Sequence, residues 1–178
     1  HTCQFPICRA RLAPMDDIHG MAGHLIRRLH QIATSVFLDR MKAAGHDLTA
    51  VQFAALATAA AHPGIDQATL AGRIAYDRAT IGGVLDRLEA KGLLRREPST
   101  RDRRAKLVHP TEAGQALLAR LWPEVRALQA EILPGLDAAE TETFLRLAAK
   151  AAETGNALSR APLHVTENPS DAASRNKS

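Results

Sequence analysis

Aromatic residues are scarce in this chain, which has one tryptophan, one tyrosine and four phenylalanines among 178 residues. Strands draw on aromatic and β-branched side chains more than helices do. Hydrophobic residues nevertheless make up 46% of the chain, and they are rich in alanine and leucine, which favour helix. The composition therefore predicts a mainly helical protein, long enough for one domain with a sizeable core.

Cysteine is nearly absent as well. Cys3 and Cys8 both lie in an N-terminal stretch without helical periodicity, where they are either stray thiols or a redox-active pair. The eight histidines are scattered, and the sequence has no His-x-x-x-His or Cys-x-x-Cys spacing typical of metal sites. Without a metal cluster or a nucleophile–base pair we expect neither an enzyme nor a bound cofactor or metal.

Long hydrophobic runs are also missing. No apolar stretch is long enough to cross a bilayer, and no signal-peptide core precedes a small-residue cleavage site. We therefore expect no membrane partner and a cytoplasmic location. The segment "MDDIHG" at Met15 reads like a natural start, so residues 1–15 are expected to be a disordered or non-native extension. The polar residues 161–178 are expected to form a disordered tail.

Positive charge is concentrated in one place. The formal net charge is +4, but residues 91–106 alone hold seven lysines and arginines against two acidic residues. A local basic cluster of this kind is typical of an anion-binding surface. A solvated charged loop is the alternative interpretation.

Residues 16–160 read as a series of helices with recognisable ends. Thr49 with Gln52 and Asp137 with Glu140 have the spacing of capping boxes, and Gly92 is placed to end a helix. The helices expected from these signals and from the apolar periodicity span residues 16–44, 50–61, 67–74, 78–91, 111–133 and about 138–158.

Two of these helices form a compact motif. Asp66 and Asp77 are acceptable N-caps for helices 67–74 and 78–91, and a turn of about three residues between them is typical of a helix-turn-helix.

A β-hairpin is expected directly after this motif. The short runs 93–97 and 105–109 flank a polar Pro/Ser/Thr/Asp segment, and a hairpin in this position is a wing. The predicted fold is therefore mainly α: a winged helix-turn-helix at 48–110, with one small β-hairpin, between N- and C-terminal helices at 16–44 and 111–158.

The second helix of the motif has two unlike faces. Ile81, Val84, Leu85 and Leu88 form an apolar face that should be buried. Glycine inside a helix costs about 1 kcal/mol relative to alanine, so two adjacent glycines on the other face call for a reason. Either a partner approaches the backbone there, or a second helix packs closely. The residues of this exposed face, expected to contact DNA, are Arg78, Thr80, Gly82, Gly83 and Arg87.

The order "LTAVQFAAL", then "ATLAGRIAYDRATIGGVLDRLEAKGLLRREPSTRDRRAKLVHPTEAG", resembles the MarR (multiple antibiotic resistance regulator) winged-helix transcription factors. The resemblance covers about residues 20–158, and "LDRLEAKGLLRR" and "DRRAKLVHPTEAG" are its most specific parts. It implies a homodimer built from the first and last helices, with residues 78–87 in the major groove of a pseudo-palindromic operator in double-stranded DNA.

The resemblance also implies that the wing tip, with Asp102 and Arg104, reaches the minor groove. A narrow minor groove is strongly negative and admits a guanidinium group, so Arg104 is the expected inserted side chain. Asp102 would orient an arginine or brace the turn. The remaining cations of the wing, expected to neutralise phosphates, are Arg101, Arg103 and Lys106.

The first helix carries a polar stripe beside its apolar face. Four residues recur at i, i+4, i+7 and i+11, and a further arginine lies nearby; these are His24, Arg28, Gln31 and Ser35, with Arg27. Arginine binds a carboxylate in bidentate fashion. The stripe is either part of a ligand site or a salt-bridge network between helices.

The resemblance favours the ligand site. MarR-type regulators commonly bind phenolic or aromatic acids between the dimerisation helices and the DNA-binding lobe, and "HLIRRLHQ" is similar to helix 1 of members that regulate aromatic-acid catabolism, including nicotinate-type acids. We therefore expect a repressor released by a small aromatic carboxylate. A redox-responsive regulator using Cys3 and Cys8, and a ligand-independent DNA-binding protein, are the alternatives.

Overall fold

Helices carry most of the chain. The computed structural model describes residues 18–100 and 105–164. In this part, short 3-10 turns at Ile18–Gly20 and Asn156–Leu158 flank the longer elements. The helices are α1 (Ala22–Ala43), α2 (Ala50–Ala61), α3 (Gln67–Arg73), α4 (Ile81–Ala90), α5 (Glu112–Ala127), α6 (Gln129–Ile132) and α7 (Ala138–Thr154). The strands are β1 (Ile65–Asp66), β2 (Leu94–Pro98) and β3 (Lys106–Pro110). The predicted mainly helical winged helix-turn-helix is confirmed.

Both predicted capping boxes are present. The Thr49 hydroxyl accepts a hydrogen bond from Gln52 N at 3.3 Å, and Thr49 N donates to Gln52 Oε1 at 3.1 Å. Asp137 and Glu140 make the same reciprocal pair at the start of α7, at 2.9 and 3.0 Å. Each pair satisfies backbone N–H groups that the first turn of a helix leaves unpaired.

Helix α4 begins later than the predicted residue 78. The Asp77 carboxylate accepts from Ala79 N at 2.7 Å, and its backbone carbonyl accepts from Ile81 N at 3.0 Å. An aspartate that bonds to the backbone two residues ahead stabilises a turn in place of helix. Residues 78–80 are therefore a turn, and Arg78 and Thr80 project from it rather than from the helix.

The end of α4 agrees with the prediction. Gly92 has a φ of +69°, in the left-handed region that favours glycine. Its N–H donates to Glu89 O at 2.8 Å, and Leu93 N donates to Leu88 O at 3.0 Å. These two bonds form a Schellman motif, which turns the chain out of the helix and into the wing.

The predicted helix 111–133 is interrupted after Ala127. The Gln129 side chain donates to Val125 O, the carbonyl that a continuous helix would pair with Gln129 N–H. Glu131 N bonds to Leu128 O in a tighter, 3-10-type step.

The first and last helices are shorter than predicted. Helix α1 begins at Ala22 rather than at residue 16, and the last helix ends at Thr154 rather than near residue 158.

The wing belongs to a three-stranded antiparallel sheet with the order β1-β3-β2. The central Val108 lies opposite Ile65 on one side and Arg96 on the other. Strand β1 was not expected, since two residues carry no period-2 pattern. It ends where Asp66 caps α3 by accepting from Ala68 N and Thr69 N, at 3.0 and 2.9 Å. The wing is thereby hydrogen-bonded to the start of the helix-turn-helix.

The motif "HPTEAG" fixes the wing to α5. Thr111 N donates to Leu93 O at 3.1 Å, and its hydroxyl donates to Gly92 O at 2.7 Å while accepting from Gly114 N at 3.0 Å. A Cβ on Gly114 would lie 2.1 Å from Leu93 O. No side chain fits at this position, so the glycine is required for the close approach of α5 to the base of the wing.

A single core holds these elements together. Its largest fully buried side chains are Met41, Leu48, Leu56, Leu70, Ile81, Leu85, Leu88, Leu94, Leu121, Leu128 and Val108. They come from the end of α1, the loop before α2, helices α2 to α4, the sheet, α5 and the residue that joins α5 to α6. Helix α7 contributes no buried residue. The winged helix-turn-helix is therefore well packed, while Leu145 and Leu147 of the last helix are left exposed by the described part of the chain.

Candidate nucleic-acid interface and effector site

Of the residues predicted to contact DNA, those on the turn before α4, on α4 and at the base of the wing lie in the described part of the chain, and several of them line one cleft. Arg78, Thr80, Gly83 and Arg87 are exposed along the turn before α4 and along α4 itself, and Gly82 is half-buried. A cleft of about 410 Å³ runs between α3, α4 and the base of the wing. Its lining residues are Gln67, Ala68, Arg78, Gly82, Asp86, Arg96 and Lys106.

Gln67 is a member of this surface that the sequence analysis missed. It is the first residue of α3, and its Nε2 lies 3.7 Å from the position that a Cβ on Gly82 would take. The side chain lines the same cleft as Arg78 and Lys106. Its position relative to α4 follows from the packing of α3 on α4, which a sequence pattern does not contain.

The two adjacent glycines of α4 are not required by packing within the chain. A Cβ on Gly83 would meet no atom within 4 Å, and one on Gly82 would make only an ordinary contact with Gln67. Close packing of a second helix, one of the two explanations offered by the sequence, is therefore not found among the described residues. Open space beside an exposed backbone is what close approach of a partner needs.

A substitution at Gly83 should weaken DNA binding without lowering the stability of the fold. Alanine has the higher helix propensity, by up to about 1 kcal/mol, so Gly83→Ala should hold or raise the melting temperature. The added methyl group should hold DNA away from the backbone and weaken operator binding about tenfold. Gly23→Ala is the matched control, because Gly23 also lies in the first turn of a helix with no atom within 4 Å of its Cβ. Equal DNA affinity of both variants and the wild type would contradict the prediction.

An ion-pair cluster sets the position of the wing against α4. Arg96 on β2 donates from Nη2 to Asp86 Oδ1 at 2.6 Å and to Glu89 Oε2 at 2.5 Å, and from Nε to Glu89 Oε2 at 3.0 Å. Arg96 N also donates to Glu89 Oε1 at 3.0 Å. The Arg96 side chain is only 13% exposed. Its hydrogen bond lowers the pKa of the Glu89 carboxyl below its usual value.

Removing this guanidinium group should loosen the wing. We expect Arg96→Met to lower the free energy of unfolding by about 1–2 kcal/mol at neutral pH. The loss is limited because the Asp86 and Glu89 carboxylates are partly exposed and can be hydrated when the guanidinium group is removed. Arg95→Met is the control, because the Arg95–Glu97 pair is exposed on both sides and should contribute about 0.5 kcal/mol or less. Denaturant unfolding of both variants checks the difference.

The contribution of the Arg96–Glu89 ion pair to stability depends on pH. Because the folded-state pKa of Glu89 is lowered, its contribution to stability is full above the ordinary carboxyl pKa and is lost as the pH falls through the lowered value. The stability difference between wild type and Arg96→Met should therefore shrink in acid. A difference that stays constant as far into acid as the fold persists would show that Arg96 acts through packing alone.

The tip of the wing lies outside the described residues, so the predicted roles of Arg101, Asp102, Arg103 and Arg104 stay predictions. The hairpin closes below it, where Ser99 N donates to Ala105 O at 2.9 Å.

Helix α1 carries all five residues of the predicted ligand site. Arg27 Nη1 donates to Gln31 Oε1 at 2.8 Å, so these two are paired along the helix. Arg28 is exposed and makes no hydrogen bond or ion pair with the residues that the structure describes. His24 is half-buried, with its Nε2 3.3 Å from His19 Nδ1, and Ser35 is exposed.

The salt-bridge alternative for this stripe finds no support from its arginines. Across the described ranges, neither Arg27 nor Arg28 forms an ion pair. Arg28 is thus a cation available to a ligand or to a partner subunit.

Three aromatic side chains join α1 to the DNA-binding lobe. Phe37 of α1 meets Phe53 of α2 edge-on, with ring centroids 6.0 Å apart, and Phe53 stacks on Trp122 of α5 at 5.6 Å. Phe37 and Phe53 are buried, in keeping with a core role, whereas Trp122 is 44% exposed. Trp122 is the single tryptophan of the chain, so its fluorescence reports on this junction.

A helix-turn-helix followed by a hairpin, with cations on the exposed side of its second helix, defines a winged-helix DNA-binding protein. The model of the MarR family matches residues 48–106. The HTH-type transcriptional repressor NicR of Pseudomonas putida is 35% identical over 142 residues, which are 78% of this chain and 89% of that protein. The chain belongs to the MarR family of DNA-binding transcriptional regulators, as predicted, and is not an enzyme.

Solved structures agree with this assignment. The regulator PcaV of Streptomyces coelicolor, in complex with its natural ligand, is similar with a TM-score of 0.69 and 31% identity, over 77% of this chain and 95% of that one. BpsR of Bordetella bronchiseptica, whose DNA binding is regulated by 6-hydroxynicotinic acid, is similar with a TM-score of 0.69 and 30% identity, over 76% and 95%.

The described part of the chain has neither a metal site nor a membrane-spanning helix. Among residues 18–100 and 105–164, no three histidine, cysteine or acidic side chains are grouped to hold a metal, and no helix has the length and apolar character to span a membrane. Cys3 and Cys8 lie outside the described residues. The relatives give the redox alternative no support.

Proposed function

We propose that this protein is a homodimeric repressor that leaves its operator when a small aromatic carboxylate binds beside α1. The observation that carries the proposal is an exposed, unpaired Arg28 on a chain similar to NicR, PcaV and BpsR. A guanidinium group in this state can bind a carboxylate with two parallel hydrogen bonds.

Uncovered apolar faces support the dimer. Leu145 and Leu147 of α7 are 56% and 51% exposed, and Ile26 of α1 is 66% exposed. Helices in proteins owe most of their stability to tertiary packing, and α7, with 17 residues, has none of them buried in the single chain. A second copy that pairs α1 and α7 with their twofold mates would cover these side chains.

Such a dimer would present two copies of the DNA-facing surface. The exposed Arg78, Thr80, Gly83 and Arg87 are assigned to the major groove, and the wing, with Arg104 at its tip, to the adjacent minor groove. Arg101, Arg103 and Lys106 are assigned to phosphates. The half-sites of the operator should lie about one helical turn, roughly 34 Å, apart.

The carboxylate is assigned to Arg28. A ring nitrogen or hydroxyl of the acid is assigned to His24, one helical turn away, or to Ser35, two turns away on the other side. Arg28 lies nine residues before Phe37 on the unbroken α1, about 13.5 Å away and on the opposite side of the helix, so the aromatic junction of the same chain does not cover a ring held at Arg28. The apolar cover of the ring is therefore assigned to the partner subunit. An acid bound between α1 and that subunit can favour one arrangement of the dimer over the other.

The test combines operator discovery with release. Genomic fragments captured by the purified protein would be sequenced, and a captured fragment would then be followed by fluorescence anisotropy while benzoate-, salicylate- and nicotinate-type acids are titrated. Release by one of these acids at millimolar concentration or below is the expected result. Enriched fragments that no acid releases would favour the ligand-independent regulator, and no enrichment at all would overturn the assignment of a specific operator.

A further inference from the structure

The chain folds back after α7. Asn156 clamps the returning segment with its side-chain amide: Nδ2 donates to Leu163 O at 3.0 Å, and Oδ1 accepts from Leu163 N at 2.7 Å. Ala161 N donates to the Ser159 hydroxyl at 3.1 Å. Residues 161–164, expected from sequence to belong to a disordered tail, are therefore held by specific hydrogen bonds.

The end of this segment docks on the helix-turn-helix. His164 N donates to Gly72 O at 2.8 Å, and this carbonyl belongs to the last turn of α3. A Cβ on Gly72 would lie 2.8 Å from His164 Cδ2, and its three nearest atoms all belong to His164. Glycine at this position thus makes room for the docked histidine ring.

Docking builds a cleft of about 400 Å³ between the segment and the turn that precedes α4. Arg78 lines it on one side, and Arg160 and His164 line it on the other. Among the described residues, neither arginine has a carboxylate partner. Asp77 is the acid of the cleft, and its Oδ1 already accepts the hydrogen bond from Ala79 N.

We propose that the segment Arg160–His164 is part of the DNA-binding surface, and that Arg160 binds a backbone phosphate together with Arg78. The proposal rests on the proposed DNA-facing role of Arg78. Continuity with that surface favours DNA as the partner, since the cleft opens beside the turn that leads into α4. Phosphate contacts of this kind fix the register of a protein on DNA and add affinity without reading sequence.

Arg160→Ala tests the contact. Each lost phosphate contact should lower the slope of log affinity against log salt by about 0.9, or about 1.8 for a dimer, with binding about tenfold weaker at moderate salt. Arg126→Ala is the matched control, because Arg126 is an exposed arginine on α5, a helix that contributes no residue to this cleft. The control should keep the wild-type slope.

Gly72→Ala tests the docking itself. The variant should expose the His164 amide to hydrogen exchange, lower the salt slope as Arg160→Ala does, and leave the thermal unfolding of the core unchanged. A chain ending at Ser159 should show the same DNA behaviour.

If Arg160→Ala and the shortened chain both keep wild-type affinity and slope while Arg78→Ala weakens binding, the proposal is wrong and the DNA-facing role of Arg78 stands. Tighter binding by the shortened chain would also overturn it, because the segment would then obstruct DNA. If Arg78→Ala has no effect, the proposed DNA face itself fails.

Discussion

Replacing Leu145 and Leu147 together with glutamate should convert the protein to a monomer and weaken operator binding by about 100-fold or more. Both leucines are more than half exposed in the single chain. They lie about 160° apart around α7, so a partner that buries both must contact this helix on two sides. Charge at both positions makes that burial costly. A monomer loses the second half-site, which contributes through a high effective concentration, worth about 10²–10⁴ in affinity.

The variant should still fold, because α7 has no buried residue and the core is formed without it. Arg146→Glu is the control: it also places an acid on α7, between the two leucines in sequence but about 100° away from each around the helix. Light scattering should give a monomer for the double variant and a dimer for the control and the wild type. A wild-type protein that is monomeric at micromolar concentration would remove the basis of the twofold operator.

Local chemistry made much of this fold predictable. The capping boxes at Thr49 and Asp137 and the helix end at Gly92 depend on residues within a few positions of each other, and each appears as expected. The helical periodicity of apolar residues on α4 likewise separated the buried face from the exposed one.

What the sequence did not reveal depends on contacts between distant residues. Strand β1 exists because Ile65 pairs with Val108, more than 40 residues away. Gln67 joins the cleft between α3, α4 and the wing through the packing of α3 on α4. The docking of His164 on Gly72 brings a polar tail, typical of disorder by composition, against a glycine more than 90 residues earlier. None of these pairings leaves a periodic or short-range signal.

The polar stripe of α1 was predictable from the sequence only in part. Helical periodicity was enough to bring its members onto one helix and one side, because α1 runs unbroken from Ala22 to Ala43. Which arginine is available was not predictable from spacing. The side-chain hydrogen bond that pairs Arg27 with Gln31 leaves Arg28 unpaired among the described residues.

Arg28→Ala should abolish release of the operator by an aromatic acid while leaving DNA affinity near that of the wild type. The acid shifts the dimer only if it binds the DNA-incompetent arrangement more tightly than the competent one. Without the guanidinium group the carboxylate loses its charged partner, at a cost of about 2–3 kcal/mol, or roughly 30- to 150-fold in apparent affinity. No DNA contact is removed, because α1 lies outside the winged helix-turn-helix.

Arg27→Ala is the matched variant one position away, with the same loss of charge and with Gln31 set free. It should keep its response to the acid, and the Trp122 fluorescence of both the wild type and this variant should change on titration, whereas that of Arg28→Ala should not. Loss of the response in Arg27→Ala alone would assign the carboxylate to Arg27, which a small rotation of α1 would allow. If both single variants still release DNA at the wild-type acid concentration, the stripe has no part in effector binding, and the acid must act through another surface of the protein.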